Sequence, residues 1–175
     1  MTVNKTLQTE LLNMEKSDQL HRAKLQELGQ KYGFDSPDIQ ETLDKQNCID
    51  AANSKRLSEI IEAYGWPGKS LVGDQAATAA WLILQHTDLA KQQKYLPLVR
   101  EAVSNKELAP RCLAYLEDRI LVQEGNPQIY GTQMYFNAQG KLECAPIEDE
   151  ANVDIRRESM GLPSLAIQLA AFGEQ

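Results

Sequence analysis

The chain has 175 residues, 42% hydrophobic and 25% charged, the balance of an ordinary globular protein long enough to bury a real core. Its net charge of −7 argues against nucleic acid or an anionic membrane as the main partner. No stretch reaches the roughly 18 apolar residues of a membrane span and MTVNKTLQTELL has no signal-peptide core, so the expected location is the cytoplasm.

Residues 4–32 are predicted to form one long helix, because Leu7, Leu11, Met14, Asp18, His21, Leu25 and Leu28 step by four and three along one stripe. In GFDSP, Gly33 suits a helix end, Ser36 an N-cap and Pro37 the first position of a second helix. That helix runs to about residue 64 along Leu43, Gln46, Asp50, Asn53, Leu57, Ile60 and Tyr64, and the short link folds the pair back antiparallel. GWPGKSLVGD (65–74) is a turn-rich connector. Its GKS run is no phosphate loop: the glycine required five places earlier is Ala63, and a helix precedes the run.

QAATAAWLILQHT is apolar on nearly every side and therefore expected at the centre, with Val72, Ala76, Ala79, Ile83 and His86 on its stripe. Helices over 89–104 and 110–123 follow, the latter opening on Pro110 and stopped by GNP. Residues 128–136 and 141–147 read as a β-hairpin around NAQG, where Gly140 supplies a positive φ. Two short helices close the chain, one near 151–160 and one ending at Phe172. The expected architecture is mainly α: a long antiparallel helical hairpin (4–64) on central helices (65–124), a small C-terminal β-hairpin (125–150) and C-terminal helices (151–175), all in one domain.

Polar residues on buried stripes are the functional signal. Asp18 and His21 interrupt the first seam; Gln46, Asp50 and Asn53 interrupt the second at the same height. Facing carboxylates need a neighbouring cation, or one of them takes up a proton; Arg22 and Arg56 are local candidates for the cation. The layer either fixes the register of the helix pair or belongs to a site. His86 ends the most buried helix in QHTD, placed as a general acid or base or as a satisfied core histidine. Arg119 beside Asp118 either clamps a substrate anion or pairs with an acid to hold helices together. No G-x-S-x-G elbow, HExxH or compact metal-ligand spacing occurs, and Cys48, Cys112 and Cys144 read as widely spaced reduced thiols.

NPQIYGTQMYF (126–136) carries more hydrogen-bonding capacity than a packing strand needs. Strand alternation puts Gln128, Tyr130, Thr132, Met134 and Phe136 on one face, and Ile129, Gly131, Gln133 and Tyr135 on the other. Tyr130 and Gln133 then share a pocket only if a bulge intervenes, and Gly131 marks a close approach of backbone or ligand. An edge strand pairing its polar groups with loops is the alternative.

The ordered set Asp18, Gln19 and Arg22; Asp50 and Asn53; GWPGKSLVG with Trp66; WLILQHTD with His86 and Asp88; Asp118 and Arg119; Gln128 and Tyr130 to Gln133; PIED; and Asp154 and Arg157 resembles a bacterial domain family of unknown function. The resemblance runs from about residue 10 to 165 and brings no established activity or fold. It implies that these polar residues form one shared site. The expectation is a hydrolase-like acid–base enzyme acting on a small polar or anionic molecule or a peptide, with no cofactor and no metal. His86, Asp50, Asp18 and Tyr130 would carry the chemistry, and Arg22, Asn53, Trp66, Asp88, Arg119, Gln128, Gln133 and Arg157 would hold the substrate. The competing reading is a non-catalytic protein-binding or immunity-type regulatory module around a structural polar core. Convergence of His86, Asp18, Asp50 and Tyr130 on one concavity would favour the enzyme; separation plus an exposed apolar patch would favour the module. Oligomeric state is left open.

Overall fold

A computed structural model describes residues 2–33, 36–137 and 142–173. The predicted first helix is two helices: α1 (Lys5–Gln19) and α2 (Arg22–Tyr32), separated at Leu20 and His21. The apolar stripe continues in phase across this break, so periodicity does not reveal it. α3 (Pro37–Tyr64) returns antiparallel to α1, since Arg56 bonds Glu10, Asn53 bonds the Met14 carbonyl and Gln46 bonds the Asp18 carbonyl. Arg56, one of the two candidate counter-ions for the polar layer, is thus engaged elsewhere, by Glu10 and Glu59.

The connector contains a short helix, α4 (Lys69–Val72), and leads into α5 (Asp74–Gln85). α5 is central: it packs against α1, α3 and α4, and against α6 (Leu89–Ser104) and α7 (Pro110–Gln123). Its fully buried Ala76, Ala77, Ala79 and Ala80 let neighbouring helices approach closely, while Ile83 and Leu84 join Leu11, Leu57, Ile60, Val72, Val99 and Leu116 in the core. The helix ends at Gln85, one turn's fraction earlier than its apolar run suggests, and His86 is its C-cap. Asp88 is the N-cap of α6, accepting from the Lys91 amide at 2.9 Å.

After α7 the chain departs from the predicted long strand. Only β1 (Met134–Phe136) and β2 (Leu142–Cys144) pair, antiparallel, with Met134 opposite Cys144 and Tyr135 opposite Glu143. Gln128 makes an isolated parallel bridge with Ile147, and 129–133 are irregular backbone in which Gly131 takes φ +69°. Strand alternation therefore does not govern this segment. The expected turn glycine, Gly140, lies outside the described residues. A 3-10 turn (Glu150–Asn152), α8 (Val153–Ser159) and α9 (Leu165–Gly173) follow. The fold is mainly α with a small two-stranded antiparallel sheet near the C-terminus. Among the described residues no helix is long and apolar enough to cross a membrane.

Candidate functional site

The polar layer of the helical hairpin meets the end of α5. Asp18, fully buried on α1, lies with both carboxylate oxygens 2.9 Å from His86 Nδ1. A carboxylate accepts but does not donate, so it assigns a proton to Nδ1 and, in the neutral ring, leaves the lone pair on Nε2. Nε2 has no partner among the described residues. The acid that contacts His86 is Asp18; Asp88, two residues on from His86, is occupied with its capping role and with Lys91 Nζ at 2.6 Å.

Arg22 resolves the problem of two carboxylates in one seam. Its Nη2 donates to Asp18 Oδ1 at 3.2 Å and to Asp50 Oδ1 at 2.7 Å, so one guanidinium bridges α1 and α3. The helix break just before Arg22 starts the helix that carries it. Gln46 completes the bridge, donating to Asp50 Oδ1 at 2.7 Å and to the Asp18 carbonyl at 2.8 Å. Burial by itself would raise the Asp18 pKa; the hydrogen bonds and charges of His86 and Arg22 outweigh it and hold the carboxyl below its ordinary value. Asn53 sits deeper in the same layer, where it donates to the Met14 carbonyl at 3.1 Å and serves the helix pair.

His86, Asp50 and Arg22 border a cavity of about 380 Å³, with Gln85, Arg119 and Gln133 on its other walls. Arg119 projects from α7, and its Nε donates to Gln85 Oε1 at 2.6 Å. Burial first, and then the nearby Arg22 charge, lower its pKa from the ordinary value. Gln92 donates to the Gln85 and Thr87 carbonyls at 3.2 and 2.9 Å and accepts from Gln123 at 3.0 Å, closing the wall between α5, α6 and α7. His86 and Asp50 also border a second depression of about 620 Å³, which Asp88 lines. A larger groove of about 830 Å³ along α1, from Lys5 to Ser17, contains none of the candidate residues.

The surplus of polar groups in NPQIYGTQ has a structural answer. Asp118, fully buried on α7, accepts from the Ile129 amide at 2.7 Å, the Tyr130 amide at 3.0 Å, and the Thr132 amide and hydroxyl both at 2.9 Å. Arg157, also fully buried, donates from below to the carbonyls of Tyr130 at 2.6 Å, Gly131 at 3.3 Å and Pro163 at 2.7 Å, and to Gln168 Oε1 at 2.6 Å. Gln128 grips the segment's two ends, accepting from the Gln133 amide at 2.8 Å and donating to the Ala145 carbonyl at 2.8 Å. One buried acid and one buried base thus satisfy a loop that has no ladder of its own. Its product is Gln133, delivered to the cavity wall.

Of the residues singled out in the sequence, the cavity gathers His86, Asp50, Arg22, Arg119 and Gln133, with Asp18 directly behind His86. It does not gather Tyr130, whose hydroxyl lies 3.4 Å from Glu117 Oε2; burial and that acid push its pKa up to about 12. Glu117 itself is paired with Arg100 at 2.8 Å. Trp66 borders a different depression with Gly68 and Glu107. Gln128 and Arg157 spend donors inside the protein, and both are fully buried, so Arg157 presents no surface to a substrate anion. Sequence reasoning missed Gln85. Its one signal was a glutamine closing an otherwise apolar helix, immediately before His86.

No curated protein and no solved structure matches the chain. A family model described as "Family of unknown function (DUF6624)" matches residues 5–173, a span that contains every candidate site residue, and the chain belongs to that family.

Proposed function

We propose that the cavity is an acid–base active site for a small polar or anionic substrate, of hydrolase type. The observation that carries the reading is the Asp18–His86 pair, which fixes the imidazole and leaves Nε2 without a partner among the described residues, where His86 borders the cavity. In such a step Nε2 takes a proton from a water as its oxygen attacks the substrate, and returns it to the leaving group as that bond breaks. Asp18, kept ionised by Arg22, holds the imidazole in the required tautomer and stabilises the imidazolium formed in between. Arg119 and Gln133 face the same space and would orient the substrate.

The test is turnover of a panel of small carboxylic esters, amides and phosphate esters by the full chain, by His86→Asn and by Asp18→Asn. General acid–base catalysis predicts a fall of about 10²- to 10⁴-fold in the histidine variant. Equal turnover in the unaltered protein and in folded His86→Asn would sink the proposal.

A second reading, a protein-binding module, is favoured by the exposed apolar side chains Ile155 on α8 and Ile167 on α9, 69% and 63% accessible. It predicts that Ile155→Asp and Ile167→Asp remove a partner's binding while His86→Asn does not.

A further inference from the structure

The walls of the cavity are unevenly matched in donors and acceptors. Arg22 already shares its charge between Asp18 and Asp50. Arg119 has no carboxylate within ion-pair distance among the described residues; its one hydrogen bond is from Nε to the neutral Gln85 side chain. That bond occupies the side of the guanidinium and leaves the terminal pair, Nη1 and Nη2, without an acceptor. Gln85, only 3% exposed, spends its oxygen on Arg119 and has no acceptor for its Nε2. Gln85 and Arg119 both border the cavity, and there the half-buried guanidinium is a cation without an anionic partner among the described residues. The missing partner is an acceptor-rich, negatively charged group.

We infer that the cavity takes a small ligand by its oxyanion, a carboxylate or a phosphate, held end-on by the terminal nitrogens of Arg119. The inference rests on the proposed site and adds the class of ligand it admits. Gln85 positions this grip: its oxygen tethers Nε, turning the fork of Arg119 to present its ends. The charges agree with this. With His86 neutral, Asp18 and Asp50 balance Arg22 and Arg119, so one added negative charge is matched when His86 holds the proton it transfers.

The experiment is a titration of the full chain with inorganic phosphate and, separately, with acetate, followed through the arginine N–H signals in nuclear magnetic resonance. Saturable binding of one or both at a single site is expected. Arg119→Gln should weaken it by about tenfold or more, the scale of losing charge-assisted hydrogen bonds, and Arg56→Gln on the surface should leave it unchanged. Phosphate alone assigns a tetrahedral oxyanion and acetate alone a planar one. Gln85→Glu keeps the guanidinium but sets a carboxylate against it, and should abolish binding even if Arg119→Gln does not fold. Absence of saturable binding by both probes, or binding retained in Gln85→Glu, would overturn the inference. His86→Asn leaves the oxyanion grip in place, so failure of the acid–base reading and failure of this one give different results.

Discussion

Asp118→Asn is the substitution whose cost can be worked most directly from the structure. The two carboxylate oxygens of Asp118 share four donors: the amides of Ile129, Tyr130 and Thr132, and the Thr132 hydroxyl. An asparagine keeps one acceptor oxygen and turns an NH2 group toward donors. If the NH2 takes the Oδ1 place, the Ile129 amide, now 2.7 Å from its acceptor, is orphaned and the Tyr130 amide keeps only its 3.2 Å contact. If it takes the Oδ2 place, the Thr132 amide is orphaned instead, while the hydroxyl can rotate away. Each choice strands one buried amide and removes the charge from the remaining bonds, for a loss of about 3 kcal/mol. In a chain of this size that lowers the melting temperature by roughly 6–12 °C. Asp118→Ala strands all of them and should cost about 5 kcal/mol, at the edge of what single substitutions do. Urea unfolding followed by circular dichroism gives the free energies. A loss below about 1 kcal/mol for the asparagine variant would refute the view that this carboxylate holds the 129–133 loop, since that is the scale of one ordinary hydrogen bond.

Other consequences are as open to measurement. Because the folded-state pKa of Asp18 lies below its ordinary value, its contribution to stability is present above the unfolded value of about 4 and is lost as pH falls through the folded one. Urea midpoints from pH 6 down to 2.5 should therefore drop more steeply in the unaltered protein than in Asp18→Asn; parallel profiles would contradict the pairing. Gly131→Ala forces a side chain onto φ +69° and brings its Cβ to 2.8 Å from Ile147 Cδ1 and 3.0 Å from Leu165 Cδ1. It should destabilise by about 2 kcal/mol, combining left-handed backbone strain with overpacking, and an unchanged midpoint would refute this. Exposed Cys48 should react with a thiol reagent in the native state, whereas buried Cys112, its pKa raised by burial to about 11, should react only on unfolding.

The helical frame was legible because long apolar stripes bury one face of each helix, and period alone reports that. The break at Leu20–His21 was not legible, since the stripe runs on in phase beyond it. The shared height of Asp18 and Asp50 could be read from register, and Arg22 as their cation from its place one turn on. That Asp18, and not Asp88, reaches His86 depends on how α5 lies against α1, a tertiary fact that no local pattern encodes. The segment around Gly131 misled most. Tyr130, Thr132 and Gln133 sit among β-forming residues, yet a buried aspartate and a buried arginine from distant helices replace the sheet ladder as partners of its backbone. Alternation loses its meaning there, and Gln133 reaches the cavity without Tyr130.

The account depends most on the state of the His86 ring, and nitrogen-15 resonance of the two histidines, with His21→Gln to assign them, reports it directly. With the ring neutral, the prediction is a proton on Nδ1, bonded to Asp18, and a lone pair on Nε2, with Asp18→Asn disturbing that preference. A neutral ring carrying its proton on Nε2 in the unaltered protein would contradict the account, because the nitrogen proposed to accept a proton would then have no lone pair for it.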